Sequence, residues 1–153
     1  MELLNGIILV VIAVFAAGCV SDRGGNSLPV RRVEKGSQSG IVEPREVVIR
    51  DEAGWRRLWG EHQPPGQPAR SLPGVDFGKE MVIFVALGQR FSGGFTIEIE
   101  KVETSRGRLT IFVRRKGPPP GALVTQALTA PFEIVAVPRS DLPLQFVESR
   151  EVR

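Results

Sequence analysis

This chain has one cysteine, Cys19, and one histidine, His62, in 153 residues. A single thiol cannot close an internal disulfide, so packing alone must hold the fold. A zinc site draws on several nitrogen and sulfur ligands, and one histidine with scattered carboxylates does not supply them. No metal and no cofactor is therefore expected. A serine–histidine–acid relay would have to use His62, and no Gly-x-Ser-x-Gly turn accompanies it. Cysteine–histidine catalysis is excluded by position, because Cys19 closes an N-terminal apolar run. Also missing is a basic stripe interleaved with aromatics, so nucleic acid is not an expected partner. Finally, no apolar run reaches the roughly 20 residues of a membrane span.

The apolar run that does occur, Leu3 to Ala17 with Asn5 inside it, has the length of a signal-peptide core. Ala16-Ala17-Gly18 precede Cys19, and small residues before a cysteine fit a bacterial lipoprotein cleavage site. Residues 1–18 are read as the signal peptide and Cys19 as the lipidated residue. The domain is then expected outside the cytoplasm, in the cell envelope, attached to a membrane through lipid. Several acyl chains on one residue would anchor it stably, where a single chain would be marginal. The alternatives are an uncleaved short anchor or a core segment. Without Met1–Gly18 the chain carries 20 basic and 16 acidic residues, a mild excess of +4. Its two basic clusters, Arg31-Arg32 and Arg114-Arg115-Lys116, read as solvated faces, with anionic lipid as the functional alternative.

Residues 19–40 hold few large apolar side chains and several Gly and Ser, and are expected to form a flexible tether. The folded domain is expected over residues 41–150. Glu46 to Arg50 predicts a short strand. Asp51 is placed as the N-cap of a helix whose one face carries Trp55, Leu58, Trp59 and His62 at i, i+3, i+4, i+7, and Pro64-Pro65-Gly66 ends it. Met81 to Leu87 is almost continuously apolar, as in a central strand covered on both faces. Phe95 to Val102 alternates, with Phe95, Ile97 and Ile99 inward, and returns after Ser105-Arg106-Gly107 as a hairpin strand. Phe132 to Val137 and Leu144 to Glu148 complete about six strands. The expected fold is mainly β within the α+β class: a small antiparallel β-sandwich or curved sheet with one packed helix.

Candidate chemistry is sparse. Glu98 and Glu100 share a strand face and could serve as paired carboxylates, although solvation is the simpler role for outward residues of a hairpin. Two segments are more specific than a core requires. One is Gly88 to Phe95, containing Phe91, Ser92, Gly93 and Gly94. The other is the proline-stiffened stretch from Lys116 to Phe132, containing Pro119, Thr125, Gln126 and Thr129. Stiff loops carrying hydrogen-bonding side chains suit partner recognition; Thr125, Gln126 and Thr129 could instead satisfy loop backbone.

Trp55-x-x-x-Trp59, Val75-Asp76-Phe77, Lys79-Glu80-Met81-Val82, Gly88, Ser92-Gly93-Gly94-Phe95-x-Ile97 and Thr125-Gln126-Ala127-Leu128-Thr129-x-Pro131-Phe132 follow one another along the chain. In that order they resemble the C-terminal domain family of the protease complex subunit PrcB, over about Gly40 to Glu148. Phe95 and Phe132 stand where that family often has tyrosine, which keeps ring packing and removes two hydroxyls. The resemblance implies a non-catalytic cell-envelope lipoprotein that supports assembly or stability of an exported subtilisin-like protease. It transfers no catalytic residue. The leading expectation is thus a protein-binding module with Phe91, Ser92, Gly93, Gly94, Phe95, Pro119, Thr125, Gln126 and Thr129 at its contact surface. The alternatives are a protease inhibitor, a cell-wall ligand-binding or hydrolytic domain using Glu98, Glu100 or His62, and an envelope spacer.

Overall fold

The computed structural model describes residues 25–149; the segment read as a signal peptide, Cys19 and the first residues of the expected tether lie outside them. Among the described residues are eight strands and one helix, in the order β1 (Asn26–Ser27), β2 (Arg31–Gly36), β3 (Arg45–Ile49), α1 (Glu52–His62), β4 (Glu80–Ala86), β5 (Thr96–Ser105), β6 (Arg108–Lys116), β7 (Phe132–Pro138) and β8 (Leu144–Glu148). Two four-stranded sheets result, one ordered β1-β5-β6-β8 and the other β2-β7-β4-β3.

The helix begins where its sequence requires. Asp51 Oδ1 accepts from the Gly54 N–H at 2.7 Å, meeting a donor that the first turn cannot satisfy. Trp55, Leu58, Trp59 and His62 are its buried face, as their spacing predicts. That face packs on the β2-β7-β4-β3 sheet, against Val82, Phe84 and Ala86 of β4 and Phe132 and Ile134 of β7. The opposite face of the same sheet, with Met81, Ile83, Val85, Val135 and Val137, packs on Ile97, Ile99, Val102, Leu109, Ile111 and Val113 of the other sheet. The molecule therefore has three layers: sheet, sheet and helix. β4 and β7 are the two inner strands of the middle layer, which is why both read as continuous apolar runs.

The tryptophans sit in the helix-side core, both buried. Trp55 Nε1 donates to the Pro73 carbonyl at 3.0 Å and Trp59 Nε1 to that of Arg70 at 3.1 Å. These bonds fix the proline-rich connection over the helix, and neither indole is available as a ligand-stacking platform.

Three expectations are corrected. Residues 26–36, read as tether, are part of the sandwich: β1 pairs with β5, and β2 pairs with β7 along the edge of the middle sheet. Arg31 meets Glu80 at 2.8 Å, Arg32 meets Glu133 at 2.7 Å and Lys35 meets Glu98 at 2.7 Å, so charge partners from distant strands hold a segment with only one inward apolar residue, Val33. Secondly, β8 runs parallel to β6, because the chain crosses from one sheet to the other after β7. Thirdly, strict alternation fails in β5. The register shifts between Ile99 and Lys101, so that Val102 faces the core and Lys101 does not.

Candidate functional site

The two segments singled out in the sequence come together at one end of the sandwich. Arg90 and Thr129 form an antiparallel bridge, with Arg90 N–H donating to the Thr129 carbonyl at 2.7 Å and Thr129 N–H returning at 2.9 Å. Gly93 N–H donates to the Thr125 carbonyl at 2.9 Å, and the Thr129 hydroxyl donates to the Ser92 carbonyl at 2.9 Å. Further bonds join the long loop to β2's exit, Ala130 N–H to the Ser37 carbonyl and Ser39 N–H to the Ala130 carbonyl. Two loops without regular secondary structure thus become one hydrogen-bonded platform.

Glycine is required at its centre. A Cβ on Gly93 would lie 2.5 Å from the Thr125 Oγ1. Gly94 has φ +86°, and a Cβ there would lie 3.0 Å from Pro118 and 3.1 Å from Val124. The Gly-Gly pair is what allows the short loop to lie against the long one.

The nine candidate residues divide by role. Phe91 is 81% exposed and Gly94, Pro119, Thr125 and Gln126 are also exposed, whereas Ser92, Gly93, Phe95 and Thr129 are half-buried. Thr129 uses its hydroxyl on loop backbone, and Phe95 packs at the margin of the inter-sheet core. Gln126 makes no side-chain hydrogen bond among the described residues. The sequence reading missed two further open apolar side chains of the platform. Leu123 is fully exposed and Leu128 is 54% exposed; Val42, also exposed, joins the short loop through its carbonyl, which accepts from Gln89 N–H at 2.7 Å. Of the five large apolar residues exposed among the described residues, Phe91, Leu123 and Leu128 belong to these two loops. A signal did exist, in apolar residues placed inside a proline- and glycine-rich stretch with no period to carry them into a core.

Electrostatically the platform is cationic. Neither Gly88–Phe95 nor Lys116–Phe132 contains Asp or Glu, while Arg90 and Lys116 are present. The Arg90 guanidinium donates to the Gln89 carbonyl at 3.0 Å, lies 5.7 Å from the Phe95 ring centre, and has no carboxylate partner among the described residues. It lines a cleft of about 430 Å³ with Pro44, Arg45, Glu46, Leu87 and Arg115.

The alternative catalytic candidates are dispersed. Glu98 is held by Lys35, and Glu100 pairs with Arg114. The bond from Lys35 also keeps the Glu98 carboxyl below its ordinary pKa, so it remains ionised and is no proton donor near neutrality. His62 is on the far side of the middle sheet, wholly buried, with its ring edge-on to Phe132 at 4.2 Å between centres. Its Nδ1 lies 2.9 Å from Ser39 Oγ and its Nε2 lies 3.4 Å from Glu34 Oε2.

A serine, a histidine and a glutamate in sequence of contact resemble a relay, but Ser39 is 7% exposed and its Oγ already accepts the Ile41 N–H at 3.0 Å. Nε2 faces the donor-only Arg70 Nη2 at 3.3 Å as well as Glu34, so the ring is tied on both sides into a structural network. Burial pushes the imidazole pKa down, with Arg70 adding to that effect and Glu34 opposing it. The arrangement fastens the β2–β3 connection to the end of α1, where Gly40 N–H also caps the His62 carbonyl at 2.8 Å.

No curated protein and no solved structure matches the chain. Residues 81–138, which run through β4, the Gly-Gly loop, the β5–β6 hairpin, the long loop and β7, match the family model described as PrcB C-terminal. Both halves of the platform fall inside that match, so this part of the chain is similar to the PrcB C-terminal family.

Proposed function

We propose that this protein is an accessory, protein-binding subunit of an exported protease complex, anchored in the cell envelope by lipid on Cys19, and that the two-loop platform is its contact surface. The observation that carries the reading is that Phe91, Leu123 and Leu128 are all exposed on two loops locked together by backbone hydrogen bonds. Exposed apolar side chains gathered on a preorganised surface are the usual mark of a protein contact. The family match lends the protease partnership, because the family is named for a subunit of such a complex.

The path of the chain agrees with an anchored orientation. Gly25 and Asn26 enter beside Glu103 and Thr104 of β5, whereas the platform adjoins Thr96 at the other end of that strand. At about 3.3 Å per residue, Thr96 and Thr104 are about 26 Å apart. A domain held through Cys19 would present Phe91 and Leu123 away from the bilayer, toward another envelope protein.

The test is affinity capture of the lipidated chain from solubilised native membranes, with serine proteases in the eluate labelled by a fluorophosphonate probe. A labelled protease should accompany the wild type and be strongly depleted with Leu123→Asp, a change at a fully exposed position. Equal recovery with Leu123→Asp would remove the platform from the contact. Recovery of none with either protein would overturn the partnership.

A further inference from the structure

The cleft beside the platform contains cations that are already matched and one that is not. Arg45 is paired with Glu61 at 2.5 Å, and Arg115 is shared between Glu46 and Glu148. Arg90 alone has no carboxylate. It is nevertheless held in place: its own backbone is bridged to Thr129 on both sides, and its guanidinium rests near the Phe95 ring and bonds the Gln89 carbonyl. An arginine fixed at the rim of a cleft, with most of its donors free, is arranged to take a planar anion by paired hydrogen bonds. Pro44, Ala86 and Leu87 contribute apolar lining beside the charged Arg45, Glu46 and Arg115.

We propose that the Arg90 cleft receives a carboxylate side chain from the partner protein, and that the partner's docking segment therefore carries an Asp or Glu beside apolar residues. The apolar residues cover Phe91, Leu123 and Leu128 while the carboxylate fills the cleft. Two observations select an acidic occupant: the platform loops have no acid and the cleft's own Glu46 is already neutralised by Arg115, and the unmatched charge is positive. This inference rests on the protein-binding reading above and supplies the chemistry of its partner.

Two measurements test it. In the first, the full chain is titrated with a synthetic acidic-apolar peptide, Ac-Leu-Asp-Phe-Glu-Leu-amide, and with its Asn/Gln counterpart, while the Arg90 Nε–H resonance and the Leu123 and Leu128 methyls are followed by NMR. The acidic peptide should shift all three and bind about fivefold to tenfold more tightly than the amide peptide, a preference removed by Arg90→Gln and by high salt. Equal binding of the two peptides, or shifts that leave the Arg90 resonance unmoved, would overturn the proposal.

The second measurement repeats the protease capture with Arg90→Gln beside Leu123→Asp. Loss with both variants supports the cleft. Loss with Leu123→Asp alone refutes the carboxylate anchor while the platform reading survives. Full capture with both removes the platform as well.

Discussion

Glu133 is the one acidic side chain buried in the described domain, and replacing it separates two forces that the structure superimposes. It sits on β7 at 1% exposure, facing the inter-sheet layer. Oε1 is 2.7 Å from Arg32 Nε, and Oε2 accepts the Ile99 N–H at 2.6 Å. The side chain of Arg32 is 63% exposed, so its attraction is screened and worth about 1 kcal/mol or less. Removing it would also admit water to Oε1, limiting the penalty on the remaining charge. The Ile99 amide is different, because it points out of the β5–β6 ladder at the bulge and is buried.

A buried donor left unmet costs about 1–3 kcal/mol, and truncating a packed side chain adds on the order of 1 kcal/mol for the space it leaves. Glu133→Ala is therefore expected to destabilise by about 3 kcal/mol. Glu133→Gln keeps an oxygen for Ile99 and should cost about 1–2 kcal/mol, while Arg32→Ala should stay below about 1 kcal/mol. Urea unfolding of the three variants, compared at constant slope, measures the order. If Arg32→Ala costs as much as Glu133→Ala, charge pairing rather than the backbone bond holds the two sheets at this point, and the reasoning fails.

Other outcomes follow from the same geometry. Because burial depresses the His62 pKa, the unfolded chain takes up the proton first as pH falls through its ordinary value of 6.5. The stability His62 contributes is thus complete above that pH and lost on acidification below it. Unfolding midpoints measured between pH 7.5 and 5 should decline, and His62→Gln should flatten the decline; an unchanged slope would mean that His62 titrates alike in both states. Gly94→Ala combines a left-handed backbone with contacts at 3.0 and 3.1 Å, at a cost of roughly 2–3 kcal/mol. Hydrogen exchange should then quicken at Gly93, Arg90 and Thr129 more than in the strands, and uniform protection would refute a platform held by Gly-Gly. On the lipoprotein reading the wild type should take up metabolic acyl label and appear at the mass of the chain beginning at Cys19, and Cys19→Ala should lose both; an unlabelled wild type at the full-length mass would argue for an uncleaved anchor.

The sequence by itself determined the elements whose stabilising signals are local. Asp51 and the 3–4 spacing of Trp55, Leu58, Trp59 and His62 specify the helix, and the alternation around Ser105-Arg106-Gly107 specifies the hairpin. The unbroken apolar run of β4 already announced a strand with two covered faces. Glycines and prolines marked the two loops that form the platform.

Only the tertiary structure decided the rest, because the interactions concerned join residues far apart in the chain. β2 has one inward apolar residue, and it becomes a strand by pairing with β7 and by meeting Glu80, Glu98 and Glu133. The bulge in β5 exists where Glu133, from the other sheet, takes the Ile99 N–H. The stretch holding Leu123 and Leu128 has no period, and their exposure is decided only when the loops are fastened to each other through their backbones. A period in sequence reports which face of an element is apolar; which distant partner meets that face, or fails to, is settled only when the layers assemble.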